Sequence, residues 1–401
     1  MTRLNLISPI SPGAEAAEAD QGSIEVYNAF VDKLSGSAVF KTRPGLVKLN
    51  ELPDSARVDV HWLSARNYLI VVCGSKIYYK ATLDGELIDI TPTGTLKPGY
   101  NAKVLFTSNE YGVMMSTGIG LIWWNGESAN AVAVNDANAP TEISDLAYLN
   151  GYIFAVEKDT QKFAWATYGP EDPRDEPPIW SAFRLSASSS PDNLLAIATE
   201  FEELFLLGNS SFESQYITGD ATVVAKSIQG AAGKKGIVNN KVLKSLANNY
   251  VYMTPNREVV FMQGRTPQVV SEPIAYQLEE LDKWDDVEAF TLFDRFYILT
   301  FRTENRTHVF DVKTGLWYRW EYWNASDAKY TRFLGTSSAH AKDWGRHIIG
   351  GINGKLYMAD YKTVTDGGDL IRGKILTASI DRGTLERKFV SEIRLRLRRG
   401  Y

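Results

Sequence analysis

The sequence holds a single cysteine, Cys73, and only four histidines, His61, His308, His340 and His347, in 401 residues. A lone cysteine forms no internal disulfide. In its apolar run it is expected to be a buried, inert thiol, since no base is placed to make it a nucleophile. No apolar run approaches the ~20 residues of a membrane helix, and runs such as Leu69-Ile70-Val71-Val72-Cys73 are short. The first twenty residues lack the apolar stretch and cleavage pattern of a secretory signal. Synthesis and folding in a cytoplasm are therefore expected, and the sequons at Asn209, Asn305 and Asn324 carry little weight. A net charge of −5 argues against electrostatic nucleic-acid binding by the chain as a whole.

Aromatics, by contrast, are plentiful: 20 Tyr, 17 Phe and 10 Trp. Such a chain is not disordered, and aromatic and β-branched residues suit half-buried strands. Tight-turn dipeptides then divide it into hairpins. Asp84-Gly85, Asn125-Gly126, Asn150-Gly151 and Asn353-Gly354 each adjoin apolar or alternating runs. Longer turns follow at Gly208-Asn209-Ser210-Ser211, Asn256-Arg257 and Asp311-Val312-Lys313-Thr314-Gly315. One central turn per unit, near Gly74, Gly118, Gly151, Gly208, Asn256, Gly315 and Gly354, gives a period of about 47 residues, that of propeller blades. The fold class expected is all-β: a β-propeller of six or seven blades with an N-terminal arm and C-terminal closing strands. Residues 1–50 would be the arm and lead-in strand, 51–370 the propeller, and 371–401 strands that close or extend it. One helix is expected over residues 271–281, with Ser271 as N-cap and Ile274, Leu278 and Leu281 on one face.

Searches for chemistry fail residue by residue. Gly350-Gly351-Ile352-Asn353-Gly354-Lys355 resembles a phosphate loop, but Ile349 stands where the first glycine belongs and Leu356 where Ser or Thr would hold magnesium. Gly118-Ile119-Gly120 lacks the third glycine of a dinucleotide loop. His340 and His347 have no cysteine nearby, and structural roles are expected for all four histidines. The pairs Glu202-Glu203, Glu279-Glu280 and Asp285-Asp286 read as solvated surface. They keep open a propeller enzyme acting on glycans, beside a peptide-binding scaffold. No catalytic, cofactor or metal residues are assigned, and no cofactor is expected.

Two charged segments stand out. The Pro-rich loop at 169–178 carries Glu171, Asp172, Asp175 and Glu176 and reads as an exposed connection. The end of the chain, Ile393-Arg394-Leu395-Arg396-Leu397-Arg398-Arg399, alternates strictly. It is either an edge strand whose charges block aggregation, or a basic ribbon on which Arg394, Arg396 and Arg398 bind an acidic protein or nucleic acid. Trp320 and Trp323 fit core packing or a subunit interface.

Several segments together resemble the tail hub, or nozzle, proteins of short-tailed bacteriophages, often called packaged-DNA stabilization proteins. Tyr27-Asn28 followed by Lys41-Thr42-Arg43-Pro44-Gly45-Leu46 is similar to the family's opening, an Asn-bearing strand before an Arg-Pro-Gly-Leu turn. Leu207-Gly208-Asn209-Ser210-Ser211-Phe212-Glu213, with Thr218-Gly219-Asp220 after it, is the most distinctive match. The matched segments run from Tyr27 to Leu281, and the C-terminal third diverges. The resemblance implies a non-enzymatic propeller subunit of a six-fold ring in the virion tail, below the portal adaptor. It further implies passage of double-stranded DNA without sequence-specific binding, and attached fibres or spikes with a needle or plug. Six copies at −5 carry about −30, which suits a channel that must not grip phosphates. Under that reading Glu171, Asp172, Asp175 and Glu176 are candidates for its lumen or rim.

Overall fold

The computed structural model describes residues 25–34, 37–94, 98, 102–200, 202–220 and 222–376. Residues 1–24 of the expected arm, and the alternating segment with Arg394, Arg396 and Arg398, lie outside them.

Seven antiparallel blades follow one another along the chain. Their innermost strands are Val58–Leu63, Leu105–Ser108, Ile143–Leu149, Leu194–Glu200, Lys244–Leu246, Val287–Leu292 and Gly335–Ala341. Blades are numbered 1 to 7 in that order. The expected β-propeller is thus observed, with the larger of the two blade counts. The seven turns used to find the period fall one to a blade, but not at equivalent places. Gly74 joins the second and third strands of its blade, Gly151 the first and second, and Gly315 the third and fourth. This drift explains the uneven spacing in sequence.

A ring of blades needs a seam. Blade 7 is completed by Gly45–Glu51, which pairs antiparallel with Lys355–Asp360, so residues from near both ends of the described chain share one sheet. Blade 6 is widened in the same way, by Glu25–Tyr27 and then Lys374–Leu376 beyond its fourth strand. The glycines of the false phosphate loop lie on the seam. A Cβ on Gly350 would stand 2.1 Å from the Val58 carbonyl oxygen, and one on Gly354 would stand 2.2 Å from that of Asp54. Blades 7 and 1 therefore meet backbone to backbone, which only glycine permits.

Local chemistry decides which turns stay tight. Asn150 and Gly151 both have positive φ (49° and 86°), with Leu149 opposite Tyr152, the expected two-residue hairpin. Asp84-Gly85 instead sits in a wider loop, because pairing resumes only at Tyr79 opposite Ile88. The ammonium of buried Lys80 reaches the Gly85 carbonyl and draws that loop inward. Asn125-Gly126 also opens a wider loop. The Asn125 side-chain oxygen accepts the Glu127 and Ser128 amides at 2.9 and 2.8 Å, an Asx-turn. The expected helix shrinks to a 3₁₀ turn at Glu272–Ile274 and one α turn at Ala275–Glu279. Ser271 does not cap it, since its hydroxyl accepts the Val259 amide at 2.8 Å. Ile274, Leu278 and Leu281 still pack against blades 5 and 6.

The core is divided into layers between neighbouring blades. Trp317 and Trp320, an odd number apart, enter different layers, and both are buried. Burying a large apolar side chain stabilises by about 1.5–3 kcal/mol, so these layers carry most of the stability.

Candidate functional site

Where blades 6 and 7 meet, a buried clasp gathers the residues of the Asn and Arg-Pro-Gly-Leu segments. Asn28 adopts left-handed backbone (φ 56°), which turns its side chain inward. Its Oδ1 accepts Arg43 Nε and the Glu321 amide, both at 2.8 Å, while its Nδ2 donates to the Arg372 carbonyl at 2.8 Å. The Arg43 guanidinium, 1% exposed, forms a two-pronged pair with Asp366 and lies 4.9 Å over the Phe333 ring. Gly45 lacks a Cβ because the Thr363 and Thr365 carbonyls pass within 2.4 and 2.6 Å of where one would be. Asn28, Arg43 and Gly45 thus tie the first described strands to the last.

The second motif is also a fastening. One Asp192 oxygen accepts the Ser210 and Ser211 amides at 2.7 and 2.9 Å, together with both hydroxyls. Buried Glu213 accepts the Ser188 and Ser189 amides, Gln215 and Ser227, joining blade 4 to the strand connection before it. Burial raises its pKa, but these donors outweigh burial and hold it below the usual carboxylate value.

The third polar assembly lies on the propeller axis. Arg57, just before blade 1, pairs with Glu288 of blade 6 and, at 2.8 Å, with Asp59. Lys103, just before blade 2, donates to Asp59 at 3.1 Å and to the Thr336 carbonyl of blade 7 at 3.4 Å. Asn240, before blade 5, donates to the Ser144 carbonyl of blade 3. The Arg57–Glu288, Lys103–Thr336 and Asn240–Ser144 bonds each skip a blade and so reach across the central tunnel. At this level bonded side chains cross the tunnel. Bulges at Ile143/Asp145, Leu194/Ala196 and Gly335/Ser337 bend the inner strands here.

Burial pushes the Asp59 carboxyl up, but Arg57 and Lys103 outweigh it and hold it at about 2. Burial pushes Asp145 up to about 7 and Lys244 down to about 8. Three cations and three carboxylates therefore converge from blades distant in sequence. No local pattern announced them, because they lie one or two to a blade at the starts of largely apolar strands.

Elsewhere, Glu171, Asp175 and Glu176 are exposed on one loop, and Asp172 is half-buried, accepting the Gly169 amide. The loop rests on blade 2. Asn125 donates to the Asp175 carbonyl at 3.2 Å, and Arg174 covers the Tyr111 and Tyr168 rings. The adjacent carboxylates do not converge: Glu203 pairs with Arg265, and Asp286 bonds Thr303. Cys73 is buried, its thiol donating to the Asp54 carbonyl at 3.2 Å and pushed up to about 11 by burial. His61 stacks on Phe106 and bonds Ser108 at 2.9 Å, and burial lowers its pKa to about 4. Trp320 lies in the core, while Trp323 is half-buried under the Arg372 guanidinium.

These features define a closed-axis β-propeller whose buried charges fasten the fold. The family described as "Bacteriophage P22 Gp10, beta-propeller" matches residues 24–333, and the chain belongs to it. The chain is 23% identical over 235 residues to "Tail hub protein gp10" of Salmonella phage P22, covering 55% of this chain and 46% of that protein. It thus spans about half the length of that relative. Among solved structures, the one titled "Streptogramin B lyase structure" superposes with a TM-score of 0.52 at 9% identity, covering 79% of this chain and 98% of that one. That likeness is one of fold alone.

Proposed function

We propose that the chain is a structural component of a phage tail: a hub subunit that assembles, with itself, into a six-fold ring below the portal adaptor. The ring extends the DNA channel, helps retain packaged genome and carries fibres or spikes with a needle or plug. The family match over residues 24–333 carries this reading. The closed axis supports it. A duplex cannot thread a tunnel filled by Arg57, Asp59, Lys103 and Glu288, so a DNA path must run between copies. In such a ring the loop bearing Glu171, Asp172, Asp175 and Glu176 is our candidate for lumen or rim, where negative charge avoids holding phosphates. Localisation follows as the virion tail, after synthesis in the host cytoplasm.

Electron microscopy of tails carrying the chain tests the proposal, with a six-fold ring expected. Particles assembled without the chain should leave their DNA open to nuclease. A chain that stays monomeric, in particles that keep their genome without it, would overturn the reading.

A further inference from the structure

His340 and His347 stand directly opposite each other on the first two strands of blade 7, Gly335–Ala341 and Arg346–Gly351. Cross-strand partners project from one face of a sheet, and here the two imidazoles stack, their centroids 4.2 Å apart and their planes 2° from parallel. That face is turned towards blade 6, since the hydroxyl of Ser338, two residues before His340, donates to the Thr291 carbonyl. The Phe293 ring packs 4.4 Å from His347 and orients it, while His340 is exposed. Among the described residues no protein group hydrogen-bonds either imidazole. Two ring systems with unused nitrogens thus share one face at the edge of the fold.

We propose that this pair binds a divalent transition metal ion of the zinc, nickel and copper class, through one nitrogen of each imidazole. Neutral imidazole is a favoured ligand of these ions, whereas magnesium and calcium prefer oxygen. Two nitrogens bound to one zinc at about 2.1 Å lie at most ~4.2 Å apart. Rings this close therefore span an ion by side-chain rotation alone, and exposed His340 has room to turn. The Asp294 carboxylate, in the turn after the innermost strand of blade 6, is near enough to favour positive charge at His347. Among the described residues no third ligating side chain converges on the pair, so water fills the remaining positions. An ion there clips together the first two strands of the blade on which the ring of blades closes. This inference depends neither on the family nor on the six-fold ring.

Calorimetric titration of the full, untagged chain with zinc chloride near neutral pH tests it. One zinc per chain is expected, with no comparable binding of magnesium. His308 is buried and His61 bonds Ser108, so neither should compete. His340→Ala, a change at an exposed position that should leave the fold intact, should weaken binding at least about tenfold, since even residues that only support a ligand are worth about 10–100-fold. Zinc should also raise the unfolding midpoint of the parent, because only the folded strands bring the rings together, and should not do so in His340→Ala. Three results would overturn the proposal: no zinc bound by the unaltered chain, binding undiminished in His340→Ala, or magnesium bound as tightly as zinc.

Discussion

Arg43 shows how a motif read as a family signature becomes a physical requirement. Its guanidinium and the Asp366 carboxylate are buried together, so neither can shed its charge cheaply if the other is removed. Arg43→Ala should lower stability by about 3–5 kcal/mol, the usual cost of stranding a buried charge. Arg43→Lys keeps the charge but loses the two-pronged geometry and should fall between. Denaturant titration of the three proteins checks the order, and an alanine variant as stable as the parent would contradict it. Asp59 gives a pH signature. Its folded pKa of about 2 lies below an unfolded value of about 3.9. Its contribution, on the order of 2.5 kcal/mol, is therefore present above pH ~4 and lost as pH falls towards 2. Across that window the unaltered chain should lose stability more steeply than Asp59→Asn. His61, which loses stability in a higher window as pH falls from 6.5 towards 4, is common to both proteins and cancels.

At the scale of elements, hairpins were legible where a turn was decided by its own residues. Asn150-Gly151 is such a case, and so is Asp311, whose carboxylate accepts the Lys313 amide and the Thr314 hydroxyl. Turns bent by distant partners were not. Lys80 bonds the Gly85 carbonyl inside the wider Asp84-Gly85 loop, and Ala247-Asn248 forms a two-residue turn with both φ positive and no glycine, its Ala247 amide donating to the Asp294 carboxylate at 2.7 Å. The axial charges were silent for the same reason, since Arg57 and Glu288 become neighbours only once the ring closes. Closure itself depends on Gly45–Glu51 completing blade 7. A chain beginning at residue 53 should therefore unfold without a cooperative transition. Supplying a peptide of residues 25–52 should restore the transition in a concentration-dependent way. Calorimetry with and without the peptide decides this, and a sharp transition in the truncated chain alone would show that the seam lies elsewhere.

At the scale of the whole molecule, the closed axis and the clasp make opposite predictions about particles. Both are buried and charged, but only the axis would matter to DNA if DNA passed through a subunit. The Coulombic gain of such a network roughly offsets its desolvation, and replacing all members by apolar residues of similar size is often neutral or stabilising. A variant with Arg57→Met, Asp59→Leu, Glu288→Met and Lys103→Met removes two cations and two carboxylates, leaves Asp145 and Lys244 to balance each other, and should therefore fold. If the DNA path lies between copies, its particles should retain and eject genome like the parent, because the outer surfaces that meet neighbours are unchanged. Under the proposed ring, clasp variants at Arg43 or Asp366, which remove a bond across the outer edges of blades 6 and 7, should reduce genome retention in proportion to their loss of stability. Altered retention in a stable axis variant, with normal retention in an equally destabilised clasp variant, would place DNA inside the propeller and contradict the path between copies.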